Sequence, residues 1–128
     1  MLLKKYNPLD YKELCSFWSK HNHPEIPATC LPDGIVVKED DKILCFGFIY
    51  LVNNASIAQI AWTTTNPEIG LKKRYKAVNM LFDGSISYIH SLGIKNIMCF
   101  SDKPSLVKLL NRRGMRIAND HTLCIESF

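Results

Sequence analysis

Apolar positions change period along this 128-residue chain, and the changes mark out its elements. Residues 2–6 read as a short extended segment. Pro8 and Asp10 then open a predicted helix over residues 9–20, on which Leu14, Phe17 and Trp18 recur at helical spacing. The following segment, HNHPEIPATCLP, carries three of the six prolines. Proline has no amide hydrogen and clashes inside a helix, so this stretch is read as a loop wrapping the core.

From residue 34 the period shortens to that of strands. GIVVK (34–38) and ILCFGFIYL (43–51) flank a polar EDDK turn. Asn53 and Asn54 tolerate the left-handed region and turn the chain into SIAQIAWTT (56–64). Strands joined by tight turns make an antiparallel meander, and Gly47 in its middle strand predicts a bulge or a close backbone approach. A long amphipathic helix is predicted over residues 73–92. Val78, Leu81, Phe82, Ser85, Ile86, Ile89 and Leu92 trace its apolar face, and Gly93 ends it.

KNIMCF (95–100) reads as a strand, and Ser101-Asp102-Lys103-Pro104 as the opening of a further helix that turns Leu106, Leu109 and Leu110 inward and stops before Gly114. The remainder reads as a hairpin about Asn119-Asp120. A strand–helix–strand order within a meander implies one parallel pairing in an otherwise antiparallel sheet. The expected architecture is therefore a mixed α/β (α+β) domain spanning residues 1–128, with helices on both sheet faces.

Composition narrows the function. With 47% hydrophobic and 22% charged residues the chain is globular rather than disordered. Its net charge of +4 suits an anionic ligand, yet a pI near 8.8 lacks the dense basic stripe of nucleic-acid binders. No apolar run reaches membrane-spanning length, and MLLKKYNP lacks a signal-peptide pattern, so a cytoplasmic location is expected. Cys15, Cys30, Cys45, Cys99 and Cys124 show no metal-ligand spacing and are expected to be buried, reduced thiols.

The stretch that carries chemistry is WTTTNPEIGLKKR, residues 62–74. An apolar strand ends in threonines, turns, and delivers Lys72, Lys73 and Arg74 to a helix start. The first amides of a helix lack helical partners, and the helix dipole adds positive charge there, so this is a place to hold phosphates. The alternative for such a triplet is a solvated helix face.

Together, GIVVKEDDKILCFGFIYL, WTTTNP and SLGIKNIMCFSDKPSLVKLLNRRGM resemble the GNAT-type acyl-CoA N-acyltransferase superfamily, in particular small GNAT-like proteins common in bacteriophage genomes. The resemblance covers roughly residues 26–128. It implies acetyl-CoA as co-substrate and an amine of a small molecule or protein as acceptor. It places the pantetheine arm between splayed fourth and fifth strands, against Trp62, Thr63, Thr64 and Thr65, with Ser101 at the mouth. It places the pyrophosphate on the helix start, at Lys72, Lys73, Arg74, Tyr75, Lys76 and Ala77. A phage origin would make the location a host cytoplasm.

Two departures accompany it. The superfamily's glycine-rich phosphate loop is replaced, with Ala77 and Asn79 where glycines would stand, and Leu110 stands where a proton-donating tyrosine is often found. Both departures also fit an alternative, a GNAT-shaped binding module that acts through protein contacts. A weaker third reading takes Lys72 to Lys76 with Arg112, Arg113 and Arg116 as a nucleic-acid surface. No catalytic residue is assigned; Glu25, Glu68 and His23 are candidates for a general base. His21 and His23 are expected to be surface residues, with no third ligand for a metal. Trp62 is expected to pack in the core, His90 to face water, and Ser101 to cap its helix. The oligomeric state is open, a homodimer included.

Overall fold

The computed structural model describes residues 1–101, 103–117 and 123–127, without side chains for 117 and 123–127. The predicted turn at Asn119-Asp120, together with Asp102, His121 and the side chain of Cys124, lies outside the described residues. The strands β1 (Leu2–Lys5), β2 (Gly34–Glu39), β3 (Lys42–Leu51), β4 (Ile57–Thr65), β5 (Asn96–Phe100), β6 (Arg116–Ile117) and β7 (Leu123–Ser127) form one sheet in the order β1-β2-β3-β4-β5-β7-β6. Every pairing is antiparallel except that of β4 with β5.

Among the described residues three α-helices cover the sheet: α1 (Tyr11–Lys20), α2 (Leu71–Ser91) and α3 (Pro104–Arg112). The predicted start at residue 9 is a 3-10 turn, Pro8–Asp10, whose first amide is capped by the Asn7 side chain; α1 continues directly from it. α1 packs Leu14, Phe17 and Trp18 against Val36, Phe46 and Phe48. On the opposite face, α2 and α3 pack Leu81, Phe82, Ile89 and Leu110 against Ile49, Ile60 and Ile97. Coverage on both faces explains why β3 is buried without interruption from Ile43 to Ile49 and reads as an unbroken apolar run.

Two expectations fail here. Leu92 was expected on the buried face of α2 but is 46% exposed, because the helix ends one residue earlier and Gly93, at φ +76°, turns the chain away. Nor are all cysteines buried: Cys30 lies exposed in the proline-rich loop and Cys15 is half-buried, whereas burial pushes the Cys45 thiol up to about 12.

Candidate acyl-CoA cleft

β4 and β5 pair over only Ile57–Gln59 and Asn96–Met98, then run apart. The cause is a bulge in β4. Opposite β3, Phe46 pairs with Thr64 and Phe48 with Ala61, so Trp62 and Thr63 together face Gly47. The approach at Gly47 is close: a Cβ would lie 3.2 Å from Leu81 Cδ2, which would have to give by a few tenths of an ångström, and 3.4 Å from Thr63 Oγ1. Trp62 adopts φ +58°, a left-handed conformation that costs a bulky residue on the order of 1–3 kcal/mol. Thr64 holds the bulge from beneath. Its hydroxyl donates to the Trp62 carbonyl at 2.8 Å and accepts the Trp18 indole N–H at 3.2 Å.

The split opens a cleft with two adjoining chambers. An inner chamber of about 350 Å³ is walled by Trp62, Thr63, Thr64, Phe100 and Ser101. An outer chamber of about 640 Å³ runs to the start of α2, past Thr65, Lys72, Arg74 and Tyr75. His21, Thr63, Lys103 and Leu106 line both and mark their junction.

The outer end gathers helix-start amides and cationic side chains. Asn66 is buried and fixes the turn after β4: its side-chain amide donates to the Ile43 carbonyl at 3.0 Å, and its Oδ1 accepts the Glu68 amide at 2.9 Å. The helix opens without a side-chain cap at Gly70, and its first helical bond runs from the Arg74 amide to the Gly70 carbonyl at 3.0 Å. The amides of Leu71, Lys72 and Lys73 therefore precede any helical partner. Lys72 from α2 and Lys103 from the start of α3 bring positive charge to the same chamber.

The predicted site residues divide on inspection. Trp62, Thr63, Thr64, Thr65, Lys72, Arg74, Tyr75 and Ser101 line one or both chambers. Lys73, Lys76 and Ala77 line neither: Lys73 Nζ is 2.7 Å from Glu39 Oε1, Lys76 is exposed, and Ala77 is fully buried in the core. Arg74 is a brace as well as a wall residue, its guanidinium donating to the Ile69 and Pro67 carbonyls and closing the loop on itself. Residues 74–79 are regular helix, and Asn79 uses its side chain to accept from Arg113 at 2.9 Å. Leu110 is wholly buried in the core.

Other expectations are corrected. Trp62 is not core packing but 39% exposed, because the bulge rotates it out of the strand's alternation. Ser101 does not cap α3; the cap position is Lys103, and the Ser101 hydroxyl accepts that residue's amide at 3.1 Å. His21 is half-buried, with Nε2 2.7 Å from the Thr65 carbonyl. A carbonyl only accepts, so Nε2 carries the hydrogen and, in the neutral ring, Nδ1 keeps its lone pair. His23 is exposed, its Nδ1 2.7 Å from the Pro24 carbonyl and its ring edge-on to Trp62 at 5.8 Å between centroids.

Among the other candidate bases, Glu68 is held below the usual carboxylate range by its hydrogen bond to Lys20, and neither it nor Glu25 lines these chambers. His21 and Lys103 line both chambers and were not assigned to the cleft from sequence. A histidine at a helix end and a lysine in a helix-opening motif carry no local sign of facing the same cleft.

Among the described residues no group of three or more His, Cys, Asp or Glu could hold a metal ion, and no helix is long and apolar enough to cross a membrane. The basic stretch proposed for nucleic acid is interrupted, since Lys73 is paired with Glu39 and Arg113 with Asp83.

No protein-family model matches the sequence, and no curated protein matches it. The fold does match solved structures: it is the fold of GNAT-family acetyltransferases. Similar structures include an aminoglycoside 6'-acetyltransferase type Ii, at TM-score 0.80 and 10% identity over 99% of this chain and 97% of that one. The PaiA N-acetyltransferase of Thermoplasma acidophilum, solved with coenzyme A, aligns at TM-score 0.73 and 10% identity over the whole of both chains. N-acetylglutamate synthase from Neisseria gonorrhoeae, complexed with coenzyme A and L-arginine, aligns at TM-score 0.78 and 12% identity. Here 99% of the present chain spans only 33% of the synthase.

Proposed function

We propose that this protein is an acyl-CoA-dependent N-acyltransferase that moves an acetyl group to a primary amine. The observation that carries the reading is the continuity of the cleft. It runs from unpaired helix amides and two lysines, along a bared strand edge, to a chamber beside a histidine whose tautomer is fixed. Solved GNAT-fold structures that contain coenzyme A support it.

In this reading the CoA pyrophosphate lies against the amides of Leu71, Lys72 and Lys73, with Lys72 and Lys103 balancing its charge. Among the described residues β4 beyond Gln59 has no strand partner on its β5 side, so its backbone can pair with the pantetheine amides. The thioester then lies at the junction of the two chambers. An amine entering past Trp62 attacks the thioester carbon; a C–N bond forms, the C–S bond breaks, and CoA leaves as thiolate. His21 Nδ1 takes the proton lost from nitrogen, directly or through one water. Leu110 has no proton to give, so the thiolate is protonated from solvent.

Arg74 and Lys73 are poor places to test the phosphate site, since one braces the loop and the other is paired. The clean variants are Lys72→Glu and Lys103→Glu. Each is expected to weaken acetyl-CoA binding about tenfold or more without loss of folding, as the loss of a charge-assisted contact implies. Unchanged affinity in both would remove the phosphate assignment. The buried Leu110 and the absent glycines favour a second reading, a binding module without turnover; stoichiometric CoA binding with no acetyl transfer to any amine would select it.

A further inference from the structure

Trp62 is held in place in a conformation its backbone resists, and its ring is left open to the cleft. The indole N–H donates to the Tyr50 hydroxyl at 2.8 Å, and that hydroxyl donates to the Cys30 carbonyl at 2.7 Å. The ring is thus tied to β3 and to the proline-rich loop, while the His23 imidazole meets it edge-on. Phe100, at the end of β5, is 55% exposed and lines the same inner chamber.

Among the described residues, the charge around this chamber is one-sided. Among its described lining residues there is Lys103 with two histidines and no carboxylate. The chain as a whole is positive, at +4. A polyamine or aminoglycoside would carry several ammonium groups into a wall whose described residues offer no carboxylate to neutralise them, against like charge. An amine with a single nitrogen meets no such penalty once that nitrogen is neutral for attack. A flat ring can instead stack on Trp62 and bury apolar area, at a preformed surface whose own hydrogen bond is already satisfied.

We infer that the acceptor is a monoamine with a planar aromatic body, seated on Trp62 in the inner chamber with its nitrogen toward His21. The transfer step rests on the acyltransferase reading; the binding of the aromatic amine does not. The chamber's volume of about 350 Å³ is at the small end of ligand pockets and fits one ring with a short side arm.

The test is calorimetric titration of the intact protein with phenethylamine, spermidine and the peptide amide Ala-Gly-NH2, each with and without saturating free CoA. Phenethylamine is expected to bind at least tenfold more tightly than either comparison amine. Trp62→Ala should lose at least tenfold of that affinity, and Trp62→Phe, which keeps a ring at this position, should retain most of it. Equal or better binding of spermidine or the peptide overturns the inference, as does undiminished phenethylamine binding by a folded Trp62→Ala protein. Should Trp62→Ala not fold, the comparison of amines on the native protein decides alone. CoA binding without the aromatic preference would sink this inference and leave the acyltransferase reading standing. Aromatic preference without CoA binding would do the reverse.

Discussion

His21 illustrates how one hydrogen bond sets a chemical role. Because the Thr65 carbonyl fixes hydrogen on Nε2, the neutral ring presents a lone pair at Nδ1, on a residue that lines both chambers. His23 shares the inner chamber but is exposed at its mouth. His21→Gln can still donate an amide hydrogen to Thr65 but cannot accept a proton. It is expected to lower kcat by about 10²–10⁴-fold, as loss of a general base does, with acetyl-CoA affinity unchanged. His23→Gln should cost less than tenfold. Equal losses in the two variants, or a His21→Gln effect confined to CoA affinity, would contradict the assignment. At this scale the sequence was partly legible. That the threonines after Trp62 and the cation Lys72 share one cleft was legible because a strand end next to a basic helix start is a local pattern. Trp62 itself was misread, because one inserted residue reverses the alternation from which an aromatic in a strand is judged buried. The bracing role of Arg74 was not legible, because the carbonyls that engage it belong to a turn whose shape no local pattern specifies.

Between elements, the start of α2 is secured by two exposed ion pairs. Lys73 joins it to Glu39 at the end of β2, and Lys20 joins the end of α1 to Glu68 in the preceding loop. Hydrogen bonds from these lysines hold both carboxyls below their usual range. A carboxyl whose folded pKa is depressed adds stability above its unfolded value near 4.5, and that stability is lost as pH falls through the folded pKa. The double variant Glu39→Gln, Glu68→Gln should therefore melt slightly below the native protein at pH 7. The gap should close toward zero as thermal scans descend below pH 4.5. A gap that stays constant with pH would show that these pairs contribute nothing through charge. Element identity was legible almost throughout, since the alternation of β2 to β4 and the apolar face of α2 are strong periodic signals. The parallel β4–β5 pairing followed from the helix between them. Its short extent did not, because pairing length depends on a bulge opposite Gly47, and a glycine in a strand permits a bulge without specifying its extent.

For the whole molecule, the sheet, the split and the helix start amount to one arrangement, a two-chambered cleft whose proposed roles are to hold an anion at the outer end and an acceptor at the inner one. α1 contributes through His21 and Trp18, β4 through its bulge, α2 through its first amides and α3 through Lys103. That convergence of four elements from distant parts of the chain is what the sequence could not display. Whether the cleft holds an acyl-CoA, as proposed, is measured by calorimetric titration of the native protein with acetyl-CoA, with free CoA as comparison. One site of micromolar affinity is expected for both, weakened in Lys72→Glu and Lys103→Glu. A folded protein showing no binding of either up to about 1 mM would contradict it.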